Sequence, residues 1–213
     1  MGRYHGFETA ERLAATFPGA RVVAFFRAQE SYAYSAWGEH IKRGGVTPLE
    51  AYVGLEGVRP GYRPLCPPEF LQYDKLLGYY VEMFGRDNLL ALPMESLRSG
   101  EALPYLAKFL NNNNLLKCKN TPVYPGLKGA SIRILRNFNR LSPYDPTQRT
   151  NRNFIMRQTM RIDRRLPGYW HDACRKSDQK KINALLQGRF TESNRRLQEL
   201  TPVELSQFGY QLT

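Results

Sequence analysis

The stretch Phe17-Pro18-Gly19-Ala20-Arg21-Val22-Val23-Ala24-Phe25-Phe26-Arg27 decides the fold. Pro18-Gly19 stops whatever precedes it. The run from Arg21 to Arg27 is compact and rich in β-branched and aromatic residues, with the length of a strand buried on both faces. Upstream, Phe7, Leu13, Ala14 and Phe17 come within reach of one helical face and predict a short amphipathic helix over 7–17. Downstream, Ser31 is a good N-cap for a helix over 32–42, which Gly44-Gly45 ends. Helix, strand, helix is the order of an α/β fold with a parallel sheet.

The rest of the chain extends that reading. Thr47-Pro48 opens a short helix to Val53, and 54–68 is a loop rich in glycine and proline. Apolar residues at Phe70, Leu71, Leu76, Leu77, Tyr80, Val81 and Phe84 predict a long amphipathic helix over 68–84, closed by Gly85. Residues 88–92 form the second strand candidate, and 102–110 a helix that Asn111–Asn114 break. Basic and apolar residues mix over 131–140. The segment 149–165 is strongly basic and poorly periodic. A last helix covers 177–189 and extends toward Leu200. No internal repeat and no composition break divides residues 1–213, so one domain is expected.

Composition narrows the partners. Hydrophobic residues make up 42% and aromatic residues 12% of 213, too rich for a chain that is mainly disordered. A net charge of +12 asks for an anion: nucleic acid, membrane surface, polyanion or phosphorylated small molecule. Cys66, Cys118 and Cys174 are too dispersed for a C-x-x-C site or a disulfide framework, which fits a reducing compartment. No apolar run approaches the roughly 20 residues of a membrane span, and residues 1–18 carry charges where a signal peptide is apolar. A soluble, cytoplasmic chain is expected. His5, His40 and His171 stand alone, without metal-ligand spacing.

The chemistry-bearing constellation is Arg27 at the carboxyl end of the first strand, followed by Ser31 and Ser35. Ligands of open α/β sheets bind at that strand end, and a helix N-terminus there favours an anion. Arginine adds a planar fork suited to phosphate. An arginine ending a strand in solvent, before serines that cap a helix, would read the same way. Glu95 is the acidic residue of the second strand-end region, a base or a group that fixes the turn before Leu97.

The stretch from Phe17 to Arg27 with Ala33-Tyr34-Ser35 resembles the segment of sulfotransferases that binds the 3′-phosphate of phosphoadenosine phosphosulfate (PAPS). There an arginine ends a strand and a serine follows eight residues later, as Arg27 and Ser35 do here. Phe84-Gly85-Arg86-Asp87-Asn88-Leu89-Leu90-Ala91-Leu92-Pro93-Met94-Glu95-Ser96-Leu97 is similar to the family's helix, strand and Glu-x-Leu turn. Phe190, Ser193-Asn194, Leu197 and Phe208-Gly209-Tyr210 resemble the closing segment of bacterial carbohydrate sulfotransferases. Lys128-Gly129 is similar to a Lys-Gly element that also touches the 3′-phosphate. The matches run in order from Phe17 to Tyr210.

The resemblance implies a partial P-loop-NTPase-like fold with a short parallel sheet and many flanking helices. It implies transfer of a sulfuryl group from PAPS, as co-substrate, to a hydroxyl of a carbohydrate or glycolipid, with Arg27, Ser35 and Lys128 on the donor and no metal. The sequence departs from the family in three places. Ala28-Gln29 stands where Asn-Pro is usual, Leu127 replaces the arginine before Lys128, and no Lys-x-Gly-Thr-like loop lies among the 26 residues before Arg27. An N-terminally truncated domain is therefore expected, completed by a missing segment or a partner chain, with the catalytic base unassigned and turnover by this chain alone in question. The rival from another class is a non-enzymatic basic protein binding nucleic acid or another polyanion, using the basic segments and Phe138, Tyr144, Phe154, Tyr169 and Trp170 interleaved with them.

Overall fold

The computed structural model describes residues 6–54, 65–114, 127, 129–141 and 149–213, with the backbone alone for 149–156. The protein is mixed α/β and mostly helical. In chain order its main elements are α1 (Gly6–Thr16), β1 (Val22–Phe26), α2 (Gln29–Lys42), α3 (Leu49–Val53), α4 (Tyr73–Phe84), β2 (Leu89–Pro93), α5 (Met94–Ser99), α6 (Ala102–Leu110), α7 (Gly129–Leu141), α8 (Arg149–Arg165), α9 (Gly168–Leu186) and α10 (Thr191–Leu200). The chain forms two compact units: unit 1 is Met1–Gln29, Glu69–Pro122 and Gly188–Thr213, and unit 2 is Glu30–Pro68 and Val123–Gln187.

Unit 1 is built on the two strands. β1 and β2 pair in parallel, Val22 opposite Leu89 through Phe26 opposite Pro93. Successive side chains of a strand point to opposite faces, and β2 uses both. Leu89 and Ala91 join one cluster with Leu77, Leu197 and Leu205, while Leu90 and Leu92 join another with Ala102, Leu106 and Val203. The sequence assigned burial on both faces to β1, yet β1 is only half covered. Val22, Ala24 and Phe26 face the first cluster, but Phe25 is 41% exposed. β2, covered on both faces, is the more deeply buried strand of the pair, with all five residues buried.

The helix expected over 68–84 divides into a 3-10 turn at Pro68–Leu71 and α4. α4 packs on α1 and α10. The α4–α10 seam includes a polar tie: buried Asp74 accepts the Ser193 hydroxyl and a 2.7 Å bond from Arg196 Nε.

Among the described residues of unit 2 the regular elements are helices, with α7 packed against α8 and α9. Gly129 makes the α7–α9 approach possible, since a Cβ there would lie 2.6 Å from the His171 carbonyl oxygen and 2.8 Å from the Arg175 nitrogen. Asn139 Nδ2 donates to the carbonyls of Ile41 and Gly45 at 2.8 and 2.9 Å, fixing the other end of α7 to the end of α2. The aperiodic basic segment 149–165 is a seventeen-residue helix, α8. Its buried side holds Thr159, and its Asp163 accepts the Ser131 hydroxyl of α7. The expected last helix is two: α9 begins at Gly168, and the chain breaks at Gly188, whose φ is +70°.

Candidate functional site

Arg27 follows directly on β1, and Glu95 is the second residue of α5, which begins directly after β2. Because the strands end in register, Phe26 opposite Pro93, the two side chains meet at the carboxyl edge of the sheet. Glu95 Oε1 accepts the Ala28 N–H at 3.3 Å and lies 3.8 Å from Arg27 Nε. Both side chains are about three-quarters shielded, 25% and 21% exposed. A pair at that depth interacts more strongly than one at the surface. Glu95 thus fixes both the backbone turn after β1 and the arginine.

The closing segment reaches the same edge. Tyr210 Oη donates to Glu95 Oε2 at 3.5 Å, and its ring meets Phe26 edge to face at 5.8 Å. Gln29, 1% exposed, gives its amide to Asn194 Oδ1 at 2.6 Å and to the Leu71 carbonyl at 3.4 Å. Asn194 in turn donates to the Gln211 carbonyl at 3.1 Å. Three separate stretches of sequence therefore converge on one strand end. Helix α2 starts at Gln29, so Ser31 lies in its first turn instead of capping it. The buried Gln29 contacts and the Ala28–Glu95 bond fix the chain before Ser31 is reached.

No protein-family model, curated protein or solved structure matches this chain.

Of the three residues assigned to the donor, Arg27 stands at the strand end of unit 1. Ser35 is exposed on α2 in unit 2. Lys128 lies outside the described residues, as do His5 and Cys118. Among the described residues no group of three or more His, Cys, Asp or Glu side chains comes together as metal ligands, and no helix is long and apolar enough to cross a membrane. Sequence reasoning missed Gln29 and Asp74. Glutamine after a strand carries no signal of its own, and the partner of Gln29 is 165 residues away.

Unit 2 holds a pocket of about 350 Å³ whose wall includes Trp37, Glu50, Arg133, Arg136, Asp178 and Lys181. Two of its three cations are neutralised within the wall: Arg133 bonds Asp178 and Lys181 bonds Glu50, each at 2.6 Å. Burial works against the Glu50 charge, but the Lys181 hydrogen bond, its own backbone and the nearby cations outweigh it and hold the carboxyl below its usual range. Arg136 is different. Its Nε donates to the Val46 carbonyl at 2.9 Å, and burial together with Arg140 lowers its affinity for a proton. Tyr34, in the same unit, is pushed up to about 12 by burial and by the charge of Asp178. The pocket wall has one cation in surplus over its two carboxylates.

Proposed function

We propose that the protein is a sulfotransferase homologue, of partial P-loop-NTPase-like fold, that uses Arg27 to bind the 3′-phosphate of PAPS and serves transfer of the sulfuryl group to a carbohydrate or glycolipid hydroxyl. The observation that carries this reading is the convergence at the carboxyl edge of the parallel strands. The arginine segment, the Glu-x-Leu turn and the closing segment are the three stretches that resemble the family, and they meet there through Arg27, Glu95, Tyr210 and Asn194. A strand end is where an α/β sheet receives a phosphate. Arginine is the side chain whose donors match a phosphate in pairs, and Glu95 holds it from the Nε edge. Ser35 and Lys128 enter the reading through the resemblance alone. Sulfuryl transfer needs donor and acceptor placed in line and charge stabilised on the leaving group; the base for the acceptor hydroxyl is unassigned.

Calorimetric titration with adenosine 3′,5′-bisphosphate against adenosine 5′-monophosphate tests it. The expected result is preference for the bisphosphate, with Arg27→Ala weakening it roughly 10- to 100-fold, the loss of a charged hydrogen-bonded pair, while the monophosphate is unaffected. Equal affinity for the two nucleotides, or an Arg27→Ala chain that still prefers the bisphosphate, would overturn the reading.

A further inference from the structure

The positive surplus of the chain is concentrated in one unit. Unit 2 carries eighteen lysines and arginines against eight acidic residues, a net +10 of the chain's +12. A dense part of it runs through the last turns of α8, where Arg157, Arg161, Arg164 and Arg165 are all exposed. Positions 157, 161 and 165 recur at i,i+4 and 164 at i+3 from 161, so the guanidinium groups share one helix face about 6 Å apart along the axis. Like charges at that spacing oppose the helix that displays them.

Among the described residues none of the four has a carboxylate within ion-pair distance. Asp163, the acid on this helix, accepts the Ser131 hydroxyl, and exposed Asp172 forms none of these pairs. The stripe is therefore an uncompensated cationic face in the free protein.

Exposed aromatic side chains follow it in the sequence. Two residues beyond α8, α9 begins, and Tyr169 and Trp170 in its first turn are 67% and 51% exposed. Their rings meet edge to face at 6.3 Å. Large aromatics exposed beside unneutralised arginines suit a single-stranded polynucleotide, whose phosphates take the guanidinium groups and whose bases stack on the rings. A bilayer fits less well. Among the described side chains of α8, Thr159 is buried and Met160 is the one large apolar residue exposed, less than the continuous apolar face that lipid insertion needs.

We propose that the α8–α9 junction of unit 2 binds single-stranded nucleic acid, with Arg157, Arg161, Arg164 and Arg165 on the phosphates and Tyr169 and Trp170 stacked on bases. The site stands on unit 2 alone and is independent of the nucleotide site at Arg27.

Fluorescence anisotropy of a labelled oligothymidylate, titrated with the full chain across a series of salt concentrations, is the test. Four phosphate contacts give a slope of log affinity on log salt of about −3, and the double variant Arg161→Glu/Arg164→Glu lowers its magnitude by about 1.4. Trp170→Ala weakens binding roughly tenfold at constant slope, the loss of one stacked base. Trp37 is 3% exposed, so the acrylamide-accessible tryptophan emission belongs to Trp170, and oligothymidylate shields it. The variants are all at exposed positions, and circular dichroism should give them the helix content of the parent. Variants that bind as the parent does would overturn the proposal. So would inorganic polyphosphate competing as well as oligothymidylate without shielding Trp170, or binding to vesicles containing phosphatidylserine but not to oligothymidylate.

Discussion

The His40 imidazole lies half-buried on α2, 3.2 Å from the Thr47 hydroxyl and 5.2 Å from the Tyr52 ring, the two planes tilted by 36°. Burial holds its pKa below the ordinary value of 6.5. As pH falls the unfolded chain therefore takes up the proton first. The neutral ring contributes its full stability above the ordinary value, and that contribution is lost as pH falls through the lower folded-state value. His40→Gln keeps a polar partner for Thr47 and removes the titration. Urea midpoints measured between about pH 7 and pH 5, the range in which an imidazole charges, should fall more steeply for the parent chain than for this variant. Parallel curves would mean that His40 is solvated enough to charge in the folded state. No spacing rule singles out His40, because its burial comes from Tyr52 on the next helix. Arg27 was legible for the opposite reason: its position at a strand end is a local property of the sequence.

Among the elements, two glycines separate helix propensity from packing. Gly78 lies inside α4 with nothing within 4 Å of a would-be Cβ, so Gly78→Ala should stabilise the protein by about 0.5–1 kcal/mol, the helix-propensity difference. Gly129 heads α7 against the backbone of α9, so Gly129→Ala should destabilise by about 1–3 kcal/mol through overpacking. Chemical denaturation of both variants checks the pair, and an unchanged midpoint for Gly129→Ala would show that α7 can shift away from α9. The same contrast explains which elements could be read in advance. The helix at 102–110 and the strand cores were legible because their apolar periods are complete within themselves. The burial of β1 on both faces was misassigned because Val-Val-Ala-Phe-Phe is so strongly strand-like, yet coverage is decided by the side chains that lie on each face. α8 was illegible as a helix because arginines dilute its period, and the contacts that order it come from α7.

At the scale of the whole molecule, sequence and structure divide the two anion-seeking features between the two units. The sequence presents +12 as one number, and nothing in it says that unit 1 holds only +2 of that total. Unit 1 is interleaved with unit 2 along the chain, so the asymmetry emerges only when the contacts sort the segments. A near-neutral unit with one shielded arginine at a strand end suits a small phosphate, which needs geometry more than field. A strongly cationic unit suits a polymer, whose affinity grows with the number of charges neutralised. Hydrogen exchange followed by mass spectrometry should separate the two. Adenosine 3′,5′-bisphosphate should slow amide exchange at residues 26–29 and 92–96, and oligothymidylate should slow it at residues 157–172. Each ligand should leave the other's segment unchanged, and their effects should add when both are present. If both ligands protect the same segment, the two readings reduce to one general anion site, and the assignment of separate roles to Arg27 and to the α8 stripe fails.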